Sequence, residues 1–80
     1  MRLFIEGRLS REVATLQEAS VRYESERDAS GEGASTFPDG DVLDPDGRTI
    51  ARVSYNGRVW PPGPYDPAAT PLWDKRSKRP

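Results

Sequence analysis

The chain has 80 residues, of which 34% are hydrophobic and 31% are charged, and its formal net charge is −1. A chain of this length forms one domain at most. Its core is expected to be small and its stability modest, because a domain of about sixty residues removes only about 60% of its unfolded surface from water. Cys and His are absent, which excludes disulfides, zinc–thiolate sites, a thiol nucleophile and the most usual general base.

Charge is distributed unevenly along the chain. Residues 1–60 hold eight Arg and eleven Asp or Glu, a formal charge of −3, whereas residues 61–80 hold four Lys or Arg and two Asp, a formal charge of +2. Residues 24–46 contain eight acidic residues and a single basic residue, Arg27. We expect an acidic rim made of solvated loops, in preference to a cation site or a surface that mimics DNA.

The aspartates between Asp39 and Asp46 do not follow a calcium-loop pattern. Pro45 interrupts their spacing, and no Glu follows at the position where an EF-hand loop needs one. We interpret these aspartates as turn residues, and we expect neither a metal nor a cofactor.

No membrane-spanning or export segment is expected from the sequence. Residues 1–6 contain three consecutive large apolar residues, whereas a signal peptide needs about seven or more, and no later stretch approaches the length of a membrane span. We therefore expect a cytoplasmic protein without membrane contact.

The first half of the chain carries the signals of one strand and one helix. Residues 2–7 predict a short strand that ends at Gly7. Ser10 is a candidate N-cap, and the apolar residues after it recur at steps of three and four, which predicts a helix that ends near Asp28, before Gly31. The apolar stripe consists of Val13, Leu16, Ala19 or Ser20, and Tyr23.

A long connection, residues 29–40, is predicted to follow this helix, with Phe37 as its anchor in the core. Two turn signals after this connection predict a three-strand meander. Asn56 and Gly57 suit a two-residue type I′ turn. The segment from Asp44 to Gly47 suits a type I turn with a bulge. The predicted cross-strand pairs are Val53 with Trp60, Leu43 with Thr49, and Val42 with Ile50.

This pairing assigns the side chains of the meander to two faces of a sheet. We expect the first face to contact the helix, because it carries two large aromatic residues and small Ala51. Its members are Leu43, Thr49, Ala51, Val53, Tyr55, Arg58 and Trp60. The opposite face carries Val42, Ile50, Arg52, Ser54 and Val59. The predicted core consists of Leu3, Ile5, Val13, Leu16, Tyr23, Phe37, Leu43, Val53 and Trp60.

The last twenty residues differ from the rest of the chain. They contain six of the eight prolines, which is typical of an extended, polyproline-like segment. Trp73 is unusual in such a segment, and we expect it to dock on its own domain or on a partner, with its own domain favoured.

These features together predict an α+β protein with two parts. Residues 1–60 form a small β-α-β-β-β domain, in which one helix packs on an antiparallel sheet. Residues 61–80 form a Pro-rich, flexible C-terminal tail with a basic end.

The function predicted for this chain is a small protein-interaction or regulatory module that is not an enzyme. Its carboxylates cluster on loops, without the apolar pocket that would tune one of them for catalysis. A sheet face with mixed apolar and Arg residues suits a protein partner or self-association. The candidate partner-binding residues are Ile50, Arg52, Val59 and Trp73.

The alternative function is the binding of single-stranded nucleic acid. Exposed aromatic rings beside an Arg would stack on bases, and the basic tail would neutralise phosphates. The residues for this alternative are Tyr55, Arg58, Trp60, Lys75 and Arg76. The acidic stretch at residues 24–46 argues against it, because carboxylates repel a phosphate backbone.

Overall fold

The computed structural model of this protein describes residues 1–63 and 68–74. Lys75 and Arg76 of the predicted nucleic-acid set, and residues 64–67 and 77–80 of the predicted tail, lie outside the described residues. The elements are β1 Arg2–Ile5, β2 Leu9–Glu12, α1 Leu16–Ser30, β3 Gly40–Leu43, β4 Thr49–Val53 and β5 Val59–Trp60.

The five strands form one antiparallel sheet in the order β2-β1-β3-β4-β5. The helix α1 packs on one face of this sheet, against β1, β3 and β4. The predicted α+β class, with one helix on an antiparallel sheet, is confirmed. The sheet has one strand more than predicted, because β2 follows β1 as a hairpin and forms the outer edge beside it.

The extra strand moves the start of the helix. Ser10 lies inside β2, so its predicted role as the helix N-cap is wrong. Thr15 is the N-cap instead: its hydroxyl accepts a hydrogen bond from the backbone N–H of Glu18 (3.0 Å), and the Glu18 carboxylate accepts one from the N–H of Ala14 (2.8 Å). The helix ends before Gly31, as predicted.

The core lies between α1 and the sheet. Its aromatic part is the contact between Tyr23 of α1 and Phe37 of the α1–β3 connection, whose ring centroids are 5.4 Å apart in an edge-to-face arrangement. The buried apolar residues are Leu3, Ile5, Val13, Ala19, Tyr23, Phe37, Val42, Ala51, Val53 and Val59. Six of the nine predicted core residues belong to this set, and Leu16 packs against it while remaining partly exposed.

The register of β3, β4 and β5 differs from the predicted one at two places. The turn between β4 and β5 is a three-residue loop closed by the Ser54 N–H donating to the Arg58 carbonyl (2.9 Å), and Asn56 does not have the positive φ that a type I′ turn needs. In β4, Ile50 is an extra residue, because Val42 pairs with Ala51 while Leu43 pairs with Thr49. Each shift moves side chains to the opposite face.

Two predicted core residues are therefore wrong. Leu43 and Trp60 lie on the sheet face away from α1 and are only half-buried. Val42 and Val59, predicted for that outer face, are fully buried on the helix side of the sheet.

The described part of the C-terminal segment returns to the sheet. Trp73 pairs with Val59 as an isolated antiparallel bridge, with the Val59 N–H donating to the Trp73 carbonyl at 2.8 Å. The Trp73 side chain is half-buried and packs against the core. Leu72–Asp74 thus cover the β5 edge of the sheet.

Candidate functional site

The sheet face opposite α1, which we call the open face, is the candidate site. One row of directly paired residues crosses it from β2 to β5, and its members are Ser10, Phe4, Asp41, Arg52 and Trp60. Within the described residues, the single helix lies on the other side of the sheet. The row therefore combines an aromatic ring, a carboxylate, a guanidinium and an indole on one accessible surface.

Apolar side chains on the open face remain in contact with solvent. Phe4 and Ile50 are each 37% exposed. Side chains alternate along β4, so Ile50 lies on the same side of the sheet as Arg52, and buried Ala51 lies on the other side. Leu43 and Trp60 are half-buried on this face. The result is a mixed surface in which apolar residues surround a few charged ones, as in the contact regions of protein interfaces.

Arg52 is held by Asp39, which lies at the end of the α1–β3 connection. Its guanidinium donates to the Asp39 carboxylate at 3.0 Å. Arg52 is half-buried, with its side chain 20% exposed, so the hydrogen bond fixes the direction of the guanidinium across the face.

Asp41 lies between Phe4 and Arg52 in the row and is half-buried. Burial raises the pKa of this carboxyl above its usual value, and the negative charges of Asp39 and Glu6 raise it further, although Arg52 opposes the shift. Burial and negative neighbours both disfavour the charged form of a carboxyl group, so both raise its pKa. The negative form of Asp41 is therefore only partly compensated within the described residues.

Trp60 lies at the end of the row, and its indole N–H has a hydrogen-bond partner. Its Nε1–H donates to the Ser54 hydroxyl at 3.0 Å, and the hydroxyl donates in turn to the Asn56 side-chain oxygen at 2.6 Å. This network links Trp60 to the β4–β5 turn. The indole ring is thus oriented by the turn that precedes β5.

The four candidate partner-binding residues do not share one surface. Ile50 and Arg52 lie on the open face. Val59 is fully buried beneath α1 and offers no surface to a partner. Trp73 is half-buried at the β5 edge, where its backbone pairs with Val59.

The described residues of the nucleic-acid alternative are also dispersed. Tyr55 lies on the helix side of the sheet, where its hydroxyl donates to the Glu32 carbonyl (2.8 Å) and the Arg27 guanidinium lies 5.3 Å from its ring centroid. Trp60 lies on the open face. Arg58 donates to the Asp74 carboxylate at 3.0 Å. The structure does not bring Tyr55 and Trp60 together as one stacking platform.

Phe4 and Asp41 are the open-face residues that sequence reasoning missed. The alternation in β1 was visible, because Leu3 and Ile5 share one side and Phe4 takes the other. What was not visible is that β1 is a central strand between β2 and β3. This position brings Phe4 beside Asp41 in the middle of the sheet.

A second polar cluster, on the helix side, has a structural role. Arg8 donates two hydrogen bonds of 2.8 Å to the Glu32 carboxylate and lies 4.9 Å from the centroid of the Phe37 ring. The bonds from Arg8 hold the pKa of Glu32 below its usual value. The pair fastens the connection after α1 to the turn between β1 and β2.

Two features of the described residues bear on small-molecule and metal binding: a cleft near the N-terminus and the placement of the acidic side chains. A cleft of about 290 Å³ lies between the start of β1 and the β3–β4 turn, which is slightly below the usual range of about 300–1,000 Å³ for ligand pockets. Residues 1–63 and 68–74 contain no group of three or more acidic side chains placed to hold a metal ion. No helix in these ranges is long and apolar enough to cross a membrane.

Comparison with known proteins gives no match among protein-family models, curated proteins or solved structures.

Proposed function

We propose that this protein is a small, non-catalytic protein-interaction module that binds its partner through the open face. The observation that carries the proposal is the exposure of Phe4 and Ile50, each 37%, on a sheet face beside Arg52 and Asp41. Burying apolar surface from water is the main driving force of association. The charged neighbours would give the complex orientation and selectivity.

The size of the open face indicates a weak or transient complex. Five strands of about four residues, spaced by about 4.8 Å and rising about 3.3 Å per residue, give a face of roughly 300 Å². Stable interfaces bury about 800 Å² on each partner. A regulatory contact that forms and dissociates readily fits this area better than a permanent assembly.

Nucleic-acid binding has less support. Tyr55 and Trp60 lie on different faces, and Arg58 is already paired with Asp74. The open face also carries Asp41 beside Asp39 and Glu6, which would repel phosphates. Cytoplasmic localisation remains a prediction from the sequence.

Photo-crosslinking in the native host tests the proposal. A photoreactive phenylalanine analogue would replace Phe4, and the matched control would carry it at Val21, which is 56% exposed on α1. We expect a discrete crosslinked protein from position 4 and none from position 21. The same product from both positions, or none from position 4, would contradict the proposal.

A second experiment separates protein from nucleic acid as the ligand. Purified protein would be titrated with a mixed-sequence single-stranded oligonucleotide at low salt while tryptophan fluorescence is recorded. We expect no saturable quenching. Saturable quenching that weakens steeply with added salt would overturn the protein-interaction proposal in favour of nucleic-acid binding.

A further inference from the structure

Asp41 is a half-buried charged group on the open face. Neither a hydrogen bond nor an ion pair links its carboxylate to any residue in the described ranges. Arg52 stands directly opposite Asp41 in the register, but its guanidinium donates to Asp39. A half-buried carboxylate in this position has given up part of its hydration without a hydrogen bond in exchange.

The charges around Asp41 leave this part of the face negative. Asp39, Asp41 and Glu6 carry three negative charges, and Arg52 supplies one positive charge. The imbalance is −2, which attracts a cation from outside the chain. A second cation placed at Asp41 would leave the Arg52–Asp39 pair intact.

Phe4 adds an aromatic surface next to this carboxylate. It is the direct neighbour of Asp41 on β1, and 37% of it is exposed. An aromatic ring attracts cations through its face and also covers the alkyl stem of a long basic side chain. The carboxylate and the ring together match the two parts of an arginine or lysine side chain.

We propose that Asp41 and Phe4 form a receptor for a basic side chain, preferably arginine, presented by an extended, apolar segment of the protein partner. This inference rests on the proposed function and names the chemistry of the partner. Arginine is preferred because its planar guanidinium donates two parallel hydrogen bonds to a carboxylate and stacks on an aromatic ring. Ile50 and Leu43 would contact the apolar residues that flank the arginine.

The test uses blocked peptides as defined probes. The full chain, labelled with ¹⁵N, would be titrated with acetyl-Val-Arg-Val-amide, with its lysine analogue, and with an analogue in which neutral citrulline replaces arginine. We expect saturable amide shifts at Phe4, Asp41 and Arg52 with the arginine peptide. Binding should be weaker with lysine and about tenfold weaker with citrulline, since the citrulline side chain keeps N–H donors but lacks the positive charge that strengthens hydrogen bonds to a carboxylate.

Variants assign the effect to this position. Asp41→Asn should weaken binding of the arginine peptide about tenfold or more, and Phe4→Leu should weaken it by a smaller factor. Asp46→Asn, the same change in the exposed β3–β4 turn, should leave it unchanged. Retention of the wild-type amide spectrum away from the substituted residue shows that each variant is folded.

Three outcomes would overturn the inference: no binding of the arginine peptide, equal binding of the citrulline peptide, or full binding by the Asp41→Asn variant. None of them affects the crosslinking result at position 4. If the partner captured at position 4 binds without the help of a basic residue, the proposed interaction module is supported and the Asp41–Phe4 receptor is contradicted.

Discussion

The Ser20 hydroxyl in α1 donates a hydrogen bond of 2.6 Å to the backbone carbonyl of Gly57 in the β4–β5 turn. Ser20 is 1% exposed and is the buried polar residue of the helix face that meets the sheet. A Cβ added at Gly57 would overlap the Glu24 carboxylate. The helix and this turn therefore approach each other closely, and a side chain at position 57 would require the Glu24 side chain to move aside.

Loss of the Ser20 hydroxyl should destabilise the protein. Ser20→Ala leaves the buried Gly57 carbonyl without its donor, and a buried unsatisfied group costs about 1–3 kcal/mol. Ser25→Ala, at an exposed position of the same helix, should be neutral or slightly stabilising, because Ala has the better helix propensity. Urea denaturation of both variants measures the difference, and equal free energies of unfolding would contradict the importance of this bond.

Three glycine variants separate backbone strain from steric overlap at the turns. Gly57 and Gly47 have φ values of 88° and 84°, and only Gly57 has atoms within reach of an added Cβ. We expect Gly47→Ala to cost about 1 kcal/mol from positive φ alone, and Gly57→Ala to cost more. Gly33→Ala, with neither constraint, is the control. Equal losses for Gly47→Ala and Gly57→Ala in urea denaturation would show that the Glu24 side chain moves aside without cost.

The fold class was predictable because its signals are local. The apolar spacing of Leu16, Ala19 and Tyr23 indicated the helix, although Val13, predicted for the same stripe, precedes it. The Asp44–Gly47 and Asn56–Gly57 segments indicated turns. β2 was missed because Leu9–Glu12 is an exposed edge strand without an apolar alternation. The helix start had a usable signal: Thr15 and Glu18 are spaced as in a capping box, three residues apart.

The candidate site was harder to predict because it depends on register. Asn56 and Gly57 fit a two-residue turn and also the end of a three-residue loop, and the two choices place Trp60 on opposite faces. The extra residue Ile50 in β4 leaves the predicted Leu43–Thr49 pair in place but changes the partner of Val42 from Ile50 to Ala51, so that Val42 lies on the helix side and Leu43 does not. Neither the length of the β4–β5 loop nor the position of the extra residue can be read from the sequence of one strand alone. Packing of Val42 and Val59 beneath α1 decides both.

Removal of the Trp73 side chain should remove packing against the core and weaken the domain. Trp73 is half-buried against the core, and its backbone bridges to Val59. We expect Trp73→Ala to lower the free energy of unfolding by about 1–3 kcal/mol. Leu72→Ala is the matched control, because Leu72 is 50% exposed and exposed substitutions usually stay within about 0.5 kcal/mol. Equal stability of the two variants in urea would show that Trp73 adds nothing to the core.

The pH dependence of stability should reveal the uncompensated charge of Asp41. Its pKa is raised in the folded protein from 3.8, so the folded state holds this proton to higher pH than the unfolded state does. The stability that Asp41 contributes is therefore fully present below its pKa in the unfolded state, and it is lost as the pH rises through its pKa in the folded state. Asp41→Asn, which carries no charge, should remove this loss.

We thus expect Asp41→Asn to gain stability relative to the wild type as the pH rises above about 4, and to show no such gain at pH 3. Thermal denaturation from pH 3 to 7 measures the difference, with Asp46→Asn as the control for generic loss of a negative charge. A wild-type protein that gains stability relative to Asp41→Asn over this range would mean that Asp41 already has a stabilising cation in the free protein. The carboxylate would then be unavailable to a partner's arginine.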